Sequence, residues 1–326
     1  MMSGNADLAL LRLGEMLQKL DYRHVTVTPI THARVNARPG NAWAVDLNGV
    51  FGWSRPFHAE AVPAPIFELM RQAGIAVAYH NGWRSLLRAS TLNGHLYFHS
   101  AWPTEASDAV FFGPDTYRYV AAISRHLAQH GTPIRRAVDI GCGAGPGAIA
   151  LATQLPDTET FAVDINDSAL RLSRINAALA GAPIQVLKSD LLADIGGNFD
   201  WIVANPPYML DREKRAYRHG GGALGAGLSL AIVEAALRRL NPGGTLLLYT
   251  GSVIVDGQDG FLKAATAMLP NTCSWSYQEI DPDVFGEELK SGAYAHADRI
   301  AAVVLCARLS ASWRIHHRED TSHLPR

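Results

Sequence analysis

Two consecutive prolines end an apolar segment in the middle of the chain, and they constrain the fold more than any other feature. Residues 199–204 form a short apolar run that is typical of a buried strand. The tetrapeptide Asn205-Pro206-Pro207-Tyr208 follows at once. Neither proline has an N–H for a strand ladder, and the residue before each proline is driven out of the helical region. We therefore expect a stiff, extended loop at the carboxyl end of a strand, where open α/β sheets place their chemistry.

The groups in this loop suit a planar NH2 group. The side-chain amide of Asn205 and the carbonyl of Pro206 supply two acceptors, and the ring of Tyr208 supplies a flat face. The alternative is a plain strand-ending turn, for which Asn-Pro is common. For Tyr208 the alternative to stacking on a planar ligand is a buried tyrosine with a satisfied hydroxyl. We predict that the catalytic residues are Asn205, Pro206, Pro207 and Tyr208.

A glycine-rich turn follows an earlier apolar run that ends at Asp139. The pattern predicts a strand, a tight turn and then a helix that begins at Pro146, where no N–H is needed. A dinucleotide fold requires G-x-G-x-x-G. That fingerprint is broken, because the sixth position counted from Gly141 is Pro146, and the sixth counted from Gly143 is Ala148. An acid at the end of the strand suits a cationic ligand rather than a pyrophosphate.

A second apolar strand, residues 161–163, ends at Asp164. A carboxylate at this point of a nucleotide-binding half can accept both hydroxyls of a ribose. The alternative is a cap for the next helix, a role that we expect Asn166 or Asp167 to fill.

A third apolar run, residues 184–187, precedes Asp190 and Leu191. Asp190 can accept from an adenine amino group, with Leu191 as apolar cover beside it. A solvated loop acid is an equally good interpretation of Asp190 taken alone.

These four motifs, in this order and spacing, resemble those of class I S-adenosylmethionine-dependent methyltransferases. The Asn-Pro-Pro-Tyr loop is similar to that of the branch that methylates planar nitrogen, which includes the HemK-type release-factor glutamine methyltransferases and adenine-N6 and guanine-N2 methyltransferases. The resemblance covers about residues 109–308. It implies an α/β fold with a Rossmann-like seven-stranded sheet and S-adenosyl-L-methionine as cofactor. The implied cofactor-binding residues are Asp139, Gly141, Cys142, Gly143, Asp164, Ile165, Asp190, Leu191 and Asn205.

Two flanking segments resemble the HemK-type branch in particular. Residues 111–117 resemble its Pro-Glu-Thr-Glu element, with Asp115 and Tyr117 in place of the two acids. Residues 220–228 resemble its Ala-Leu-x-Gly-Gly-x-Asp-Gly-Leu stretch, with Ala226 where the acid is expected. The favoured acceptor is a glutamine side chain of a protein, such as a translation factor or a ribosomal protein. An RNA or DNA base and a small-molecule amine remain alternatives.

The chain is expected to have two domains and a tail. Residues 1–104 are expected to form a small α+β substrate-recognition module. This module does not resemble the five-helix N-terminal domain of the release-factor enzymes. Residues 105–309 are expected to form the methyltransferase domain, whose sheet ends in an antiparallel strand pair. Residues 310–326 are expected to form a mobile tail. We also expect strands at residues 43–47 and 245–249.

Composition narrows the partners and the compartment. The formal net charge is −1, which lacks the basic excess of nucleic-acid-binding proteins, and no apolar run is long enough to span a membrane. Three cysteines fit a reducing cytoplasm. No metal is expected, because His95 and His99 have no Cys, Asp or Glu set beside them. RNA stays possible because four cations flank the proline loop: Arg212, Lys214, Arg215 and Arg218.

Overall fold

The computed structural model of the chain describes residues 4–129, 131–211 and 217–312. The first part of the chain contributes helices and two antiparallel hairpins, which agrees with the predicted α+β character. Apolar residues recur at helical spacing in the first helix and are buried, as Leu10, Leu13 and Leu17 show. The elements of this part are α1 (Asn5–Lys19), α2 (Pro29–Asn36), α3 (Ala64–Gln72), β1 (Ala76–Tyr79), β2 (Gly82–Ser85), β3 (Leu87–Leu92) and β4 (His95–Ser100).

The second part alternates strands and helices around one central sheet. Its first elements are α4 (Pro114–Ala128), β5 (Arg136–Ile140), α5 (Pro146–Gln154), β6 (Glu159–Asp164), α6 (Asp167–Ala180), β7 (Ile184–Lys188) and β8 (Phe199–Ala204). They are followed by α7 (Gly227–Arg239), β9 (Leu240–Val255), β10 (Gln258–Asp259), α8 (Gly260–Met268), β11 (Ser274–Asp281) and β12 (Arg299–Arg308).

The main sheet has the strand order β11-β12-β9-β8-β5-β6-β7, and the short β10 pairs with the end of β9. Strands β7, β6, β5, β8 and β9 run parallel, whereas β12 is antiparallel to both of its neighbours. This confirms the predicted Rossmann-like seven-stranded sheet with its closing antiparallel pair. The strand order reverses between β5 and β8, so the crevice at their carboxyl ends is the expected ligand site.

The first part of the chain packs directly on the second. The buried side chain of Asn176, in α6, accepts from the backbone N–H of Phe98 over 2.8 Å and donates to the carbonyl of Phe98 over 3.0 Å. Gly14 of α1 faces Leu179 so closely that an added β carbon would lie 2.5 Å from its Cδ1. The two parts therefore share a packed boundary in which polar groups are paired. The domain limits at residues 104 and 309 stay predictions.

Two predicted strands differ from the observed ones. Residues 43–47 do not form a strand: Ala44 makes one bridge to Phe57, and the Asp46 carboxylate accepts from the N–H of Gly49 over 2.7 Å, which turns the chain. The strand predicted at residues 245–249 is much longer, because β9 starts at Leu240 and continues to Val255. Pairing with β8 extends the strand back to Leu240, and pairing with β12 extends it forward to Ile254. The predicted tail lies outside the described residues from residue 313 onward.

Candidate active site

A cavity opens at the carboxyl ends of β5, β6, β7 and β8, at the point where the strand order reverses. Every predicted site residue except Asp139 lines it. Those residues are Gly141, Cys142, Gly143, Asp164, Ile165, Asp190, Leu191, Asn205, Pro206, Pro207 and Tyr208. Parallel strands bring their carboxyl ends to one edge, which is why four motifs far apart in sequence meet here.

The glycine turn after β5 leaves open space beside its backbone. Gly141 and Gly143 have φ angles of +68° and +53°, a region that favours glycine. A β carbon built at either position would meet no heavy atom within 4 Å. Helix α5 then begins at Pro146, as predicted. The turn thus exposes its backbone to a ligand in the cavity.

Asp139 is buried behind this turn and is not among the residues that line the cavity, so its role in cofactor binding stays a prediction. Its side chain accepts from the Tyr119 hydroxyl over 2.7 Å and from the N–H of Ala148 over 3.0 Å. There is no room on its far side, because a β carbon at Gly147 would lie 2.6 Å from Oδ2 of Asp139. Burial raises the pKa of Asp139 to about 7, against the opposing effect of these two hydrogen bonds. The residue holds the turn and the start of α5 in place.

Asp164 faces the cavity with both carboxylate oxygens fixed. The N–H of Gly143 donates to Oδ2 over 2.9 Å, and the N–H of Asn166 donates to Oδ1 over 2.9 Å. Burial raises the pKa of Asp164, and the backbone hydrogen bonds oppose that rise. Asn166 caps α6 by accepting from the N–H of Ser168, so the prediction that a neighbour caps the helix is confirmed. Asp164 therefore keeps lone pairs for a ligand.

Apolar and acidic side chains complete this end of the cavity. Ile165 is 57% exposed beside Asp164, although it is a large apolar residue. Asp190 and Leu191 follow β7 and lie on the same cavity. Exposed apolar groups at the edge of a cavity favour a flat apolar ligand. This arrangement suits an adenine ring with an acid within reach of its edge.

The proline loop presents acceptors that the protein does not use. Within the described part of the chain, neither the Asn205 side chain nor the Pro206 carbonyl makes a hydrogen bond. Both residues line the cavity, and Pro206 is buried. Buried polar groups in proteins are normally paired, so unpaired acceptors on a cavity indicate a ligand with donors.

Tyr208, in contrast, is a buried tyrosine with a satisfied hydroxyl. Its hydroxyl donates to Oδ2 of Asp115 over 2.6 Å, and its ring makes an edge contact with Phe285. Only 6% of the residue is exposed. Its hydroxyl is therefore committed to the protein, and stacking of its ring on an acceptor stays a prediction.

Comparison with known proteins places this site in a family. Residues 120–254 match the family model described as methyltransferase small domain. The chain is 30% identical over 220 residues to 4-amino-L-phenylalanine/4-methylamino-L-phenylalanine methyltransferase of Streptomyces pristinaespiralis, which covers 63% of this chain and 73% of that protein.

The chain belongs to the methyltransferase small domain family.

Other relatives match a shorter stretch. Release factor glutamine methyltransferase of Deinococcus radiodurans is 33% identical over 163 residues, which covers 47% of this chain and 55% of that enzyme. Ribosomal RNA small subunit methyltransferase C of Klebsiella pneumoniae is 30% identical over 119 residues, which covers 36% of this chain and 32% of that enzyme. The chain thus spans about half the length of the release-factor relatives that it matches.

S-adenosylmethionine, the cofactor of class I methyltransferases, fits the groups found in the cavity. The open space beside Gly141 and Gly143 leaves room for its methionine end. Asp164, Ile165 and Leu191 line the same cavity, where Asp164 would accept from the ribose hydroxyls and the two apolar residues would cover the adenine. The described residues include no cluster of three or more His, Cys, Asp or Glu side chains that suits a metal ion.

Two residues of α4 support the site in roles that the sequence did not assign to them, although Asp115 belongs to the segment similar to Pro-Glu-Thr-Glu. Asp115 binds the hydroxyls of Tyr208 and Tyr249, and Tyr119 binds Asp139. Asp115 is buried in the first turn of the helix, where a carboxylate interacts favourably with the helix N-terminus. A polar pair four residues apart on the buried face of an amphipathic helix is the signal that indicates such a role.

Of the four cations near the proline loop, the structure describes Arg218, which is paired with acids. Arg218 forms ion pairs with Glu288 and with Asp211, the latter over 3.7 Å. The other three cations of this group lie outside the described residues. His99, one of the two histidines considered for a metal, is buried and bonded to Ser90 over 2.8 Å.

Among the helices of the described residues, none is long and apolar enough to cross a membrane. Cys142, Cys273 and Cys306 are free thiols. Cys142 is buried beside Ser173, and burial raises the pKa of its thiol well above the usual value. A thiol of that kind is unreactive, so its small size explains its place in the turn.

Proposed function

We propose that this chain is an S-adenosylmethionine-dependent N-methyltransferase that acts on a planar amide or amine nitrogen. The unpaired acceptors of Asn205 and Pro206 carry this proposal, because they line the same cavity as the cofactor residues. A planar NH2 group has two hydrogens, which two acceptors can bind. A proline on each side of the Pro206 carbonyl restricts the movement of that carbonyl.

The chemistry follows from the delocalised lone pair of such a nitrogen. An amide or aromatic amine is a poor nucleophile, because its lone pair is shared with the attached π system. Hydrogen bonds from its two N–H groups to Asn205 and Pro206 favour a pyramidal nitrogen with the lone pair directed away from the loop. These bonds strengthen as positive charge develops on the nitrogen, so they stabilise the transition state more than the ground state.

The cofactor supplies an electrophilic methyl group on a sulfonium sulfur. The protein supplies position: the glycine turn and Asp164 hold the cofactor, and the proline loop holds the acceptor. Orientation of two reactants in line accounts for up to about 7–11 kcal/mol of barrier lowering in well-oriented systems. A general base is not needed before transfer, since the methylated nitrogen is cationic and loses its proton readily.

A glutamine side chain of a protein is the first acceptor class that we propose. Enzymes named release factor glutamine methyltransferase from several bacteria are 30–35% identical to this chain over 152 to 163 residues. A net charge of −1 also suits a protein acceptor better than a nucleic acid. The glutamine amide is planar and carries the NH2 group that the loop acceptors require. A cytoplasmic location is part of this proposal and is supported by the three free cysteines.

A small arylamine is a second candidate, favoured by two observations. The match to the 4-amino-L-phenylalanine enzyme extends over 220 residues. The cavity is also lined by Phe111 and Tyr217, whose rings are parallel within 3° with their centroids 6.4 Å apart. Aromatic walls favour a flat aromatic acceptor. An RNA base is a third class, supported by the shorter match to a ribosomal RNA enzyme.

Defined acceptors separate these classes. The purified chain would be incubated with methyl-labelled S-adenosylmethionine and, separately, a bacterial release factor, 16S ribosomal RNA or 4-amino-L-phenylalanine. We expect label in the release factor, placed on a glutamine by mass spectrometry, and none with the Asn205→Ala variant. Label only in 4-amino-L-phenylalanine would replace the first acceptor class by the second. Label in none of the three, with cofactor bound, would count against all three acceptor classes.

A further inference from the structure

One buried carboxylate connects the proline loop to the rest of the molecule. Asp115, the second residue of α4, is 4% exposed and uses both of its oxygens. Oδ2 accepts from the Tyr208 hydroxyl over 2.6 Å, and Oδ1 accepts from the Tyr249 hydroxyl over 2.8 Å. Arg118, one turn further along α4, also donates to Oδ1 over 3.0 Å and extends to Asp281 over 2.7 Å. The charge of Asp115 is thus paired and hydrogen-bonded.

Tyr208 is consequently held on three sides. Its hydroxyl is fixed by Asp115, and its edge meets Phe285. Its ring lies against Gly251 of β9, where any β carbon would be 2.2 Å from the ring. Burial raises the pKa of Tyr208 well above its usual value, so the hydroxyl remains a donor at physiological pH. A side chain fixed in this way leaves its own backbone little freedom.

This restraint reaches the acceptor oxygens through two prolines. Pro207 separates Tyr208 from the Pro206 carbonyl, and proline rings fix φ at both positions. The backbone from Asn205 to Tyr208 therefore moves nearly as a unit. A shift of Tyr208 itself would therefore change where the Pro206 carbonyl and the Asn205 amide lie.

The same helix face also fixes the cofactor side of the cavity. Tyr119 follows Asp115 by four residues, which places the two side chains on one face of α4. Its hydroxyl donates to Asp139, which in turn accepts from the N–H of Ala148 at the start of α5. Asp115 thus restrains the proline loop and Tyr119 restrains the glycine turn, and both residues belong to α4.

We infer that Asp115 is a positioning residue for methyl transfer, which acts through Tyr208 to set the place of the Asn205 and Pro206 oxygens relative to the bound cofactor. This inference rests on the proposed N-methyltransferase function. Asp115 touches no reacting atom in this role. Its contribution is alignment, and an error of about 1 Å in alignment costs on the order of 100-fold in rate.

Four variants separate positioning from a structural role. Asp115→Ala removes both acceptors, whereas Asp115→Asn keeps a side chain of the same shape that can still bond to both tyrosines. Tyr208→Phe removes the hydroxyl but keeps the ring. Tyr249→Phe is the matched control, because it removes a bond to the same carboxylate from a residue that does not line the cavity.

Turnover is the first readout. It would be measured with whichever of three acceptors the native chain labels: a release factor, 16S ribosomal RNA or 4-amino-L-phenylalanine. We expect Asp115→Ala and Tyr208→Phe each to lower kcat about 10-fold to 100-fold. The dissociation constant for S-adenosylhomocysteine should remain near the native value in both. Asp115→Asn should recover most of the kcat that Asp115→Ala loses, and Tyr249→Phe should retain native kcat. The Asp115→Ala/Tyr208→Phe double variant should be no slower than the slower of the two single variants.

Hydrogen–deuterium exchange of residues 205–211 is the second readout and needs no acceptor. Asp115→Ala and Tyr208→Phe should accelerate exchange in this segment, whereas Tyr249→Phe should not. Unchanged exchange and turnover in Asp115→Ala would overturn the inference. It would also be overturned if the losses of kcat in the two single variants multiplied in the double variant, or if Tyr208→Phe and Tyr249→Phe lost equal kcat. If the native chain labels none of the three acceptors, the proposed acceptors fail, and the exchange data alone decide whether Asp115 positions the loop.

Discussion

Gly251 of β9 and the ring of Tyr208 are in such close contact that no side chain fits between them. A β carbon at position 251 would lie 2.2 Å from Cδ2 of the tyrosine and 2.3 Å from its Cε2. The ring is rigid and its hydroxyl is bound to Asp115, so it cannot yield cheaply. The central sheet thus supports the proline loop from behind.

Gly251→Ala is therefore expected to displace the loop and to lower turnover. Overpacking of this kind costs about 1–3 kcal/mol of stability. Gly260→Ala is the matched control, because a β carbon there meets nothing within 4 Å. Thermal unfolding and labelled-methyl transfer would be measured for both variants. Native turnover in Gly251→Ala would mean that the loop tolerates displacement.

Asn205→Ala should separate cofactor binding from chemistry. The variant loses one of the two acceptors that stabilise the developing charge on the nitrogen. Loss of one such group typically lowers kcat by about 10²–10³. The dissociation constant for S-adenosylhomocysteine, measured by calorimetry, should stay close to the native value. Turnover equal to that of the native chain would refute the role given to Asn205.

Asp164→Ala should have the opposite pattern and weaken cofactor binding. Hydrogen bonds to a charged group contribute about 1.5–3 kcal/mol, so we expect an increase in the dissociation constant of about 10-fold to 100-fold. Asp167→Ala is a matched control, since Asp167 is an exposed neighbour whose ion pair with Lys188 lies on the surface. Equal affinities for S-adenosylhomocysteine in the two variants would remove Asp164 from the ribose site.

Asp139 should give the stability of the chain a dependence on pH. Burial raises its pKa from 3.8 to about 7. At a pH between these two pKa values, the unfolded chain has released a proton that the native chain retains. The free energy of unfolding therefore falls as the pH rises through this range. The difference in free energy of unfolding between the native chain and Asp139→Asn should decrease from pH 5 to pH 7 and then level off. Urea denaturation at several pH values measures it, and a difference that rises with pH would contradict the assignment.

Much of the site is predictable from the sequence because local rules apply there. Apolar runs that end at Asp164 and Asn205 predict parallel strands, and the carboxyl ends of parallel strands meet at one edge. The positions of Pro146 and Asn166 follow from the chemistry of helix starts. These features depend only on residues that are close in sequence.

The rest depends on contacts between distant segments. The direction of the Asp139 side chain is decided by Tyr119 and Ala148, which belong to the helices on either side of β5. The hydrogen-bond partner of the Tyr208 hydroxyl is Asp115, which precedes it by 93 residues. The four-residue spacing of Asp115 and Tyr119 indicates a buried polar role, but it does not indicate which distant residue each will bond, because such pairing arises only when the elements pack.

Transfer of labelled methyl to a cellular acceptor tests the central claim most directly. Lysate from a strain that lacks this protein would be incubated with labelled S-adenosylmethionine and either the native chain or Asn205→Ala, and aliquots would then be treated with protease or RNase. We expect the native chain to deposit label that protease removes and RNase leaves, and Asn205→Ala to deposit almost none. Equal label from the two chains, or none from either, would contradict methyl transfer at the proline loop.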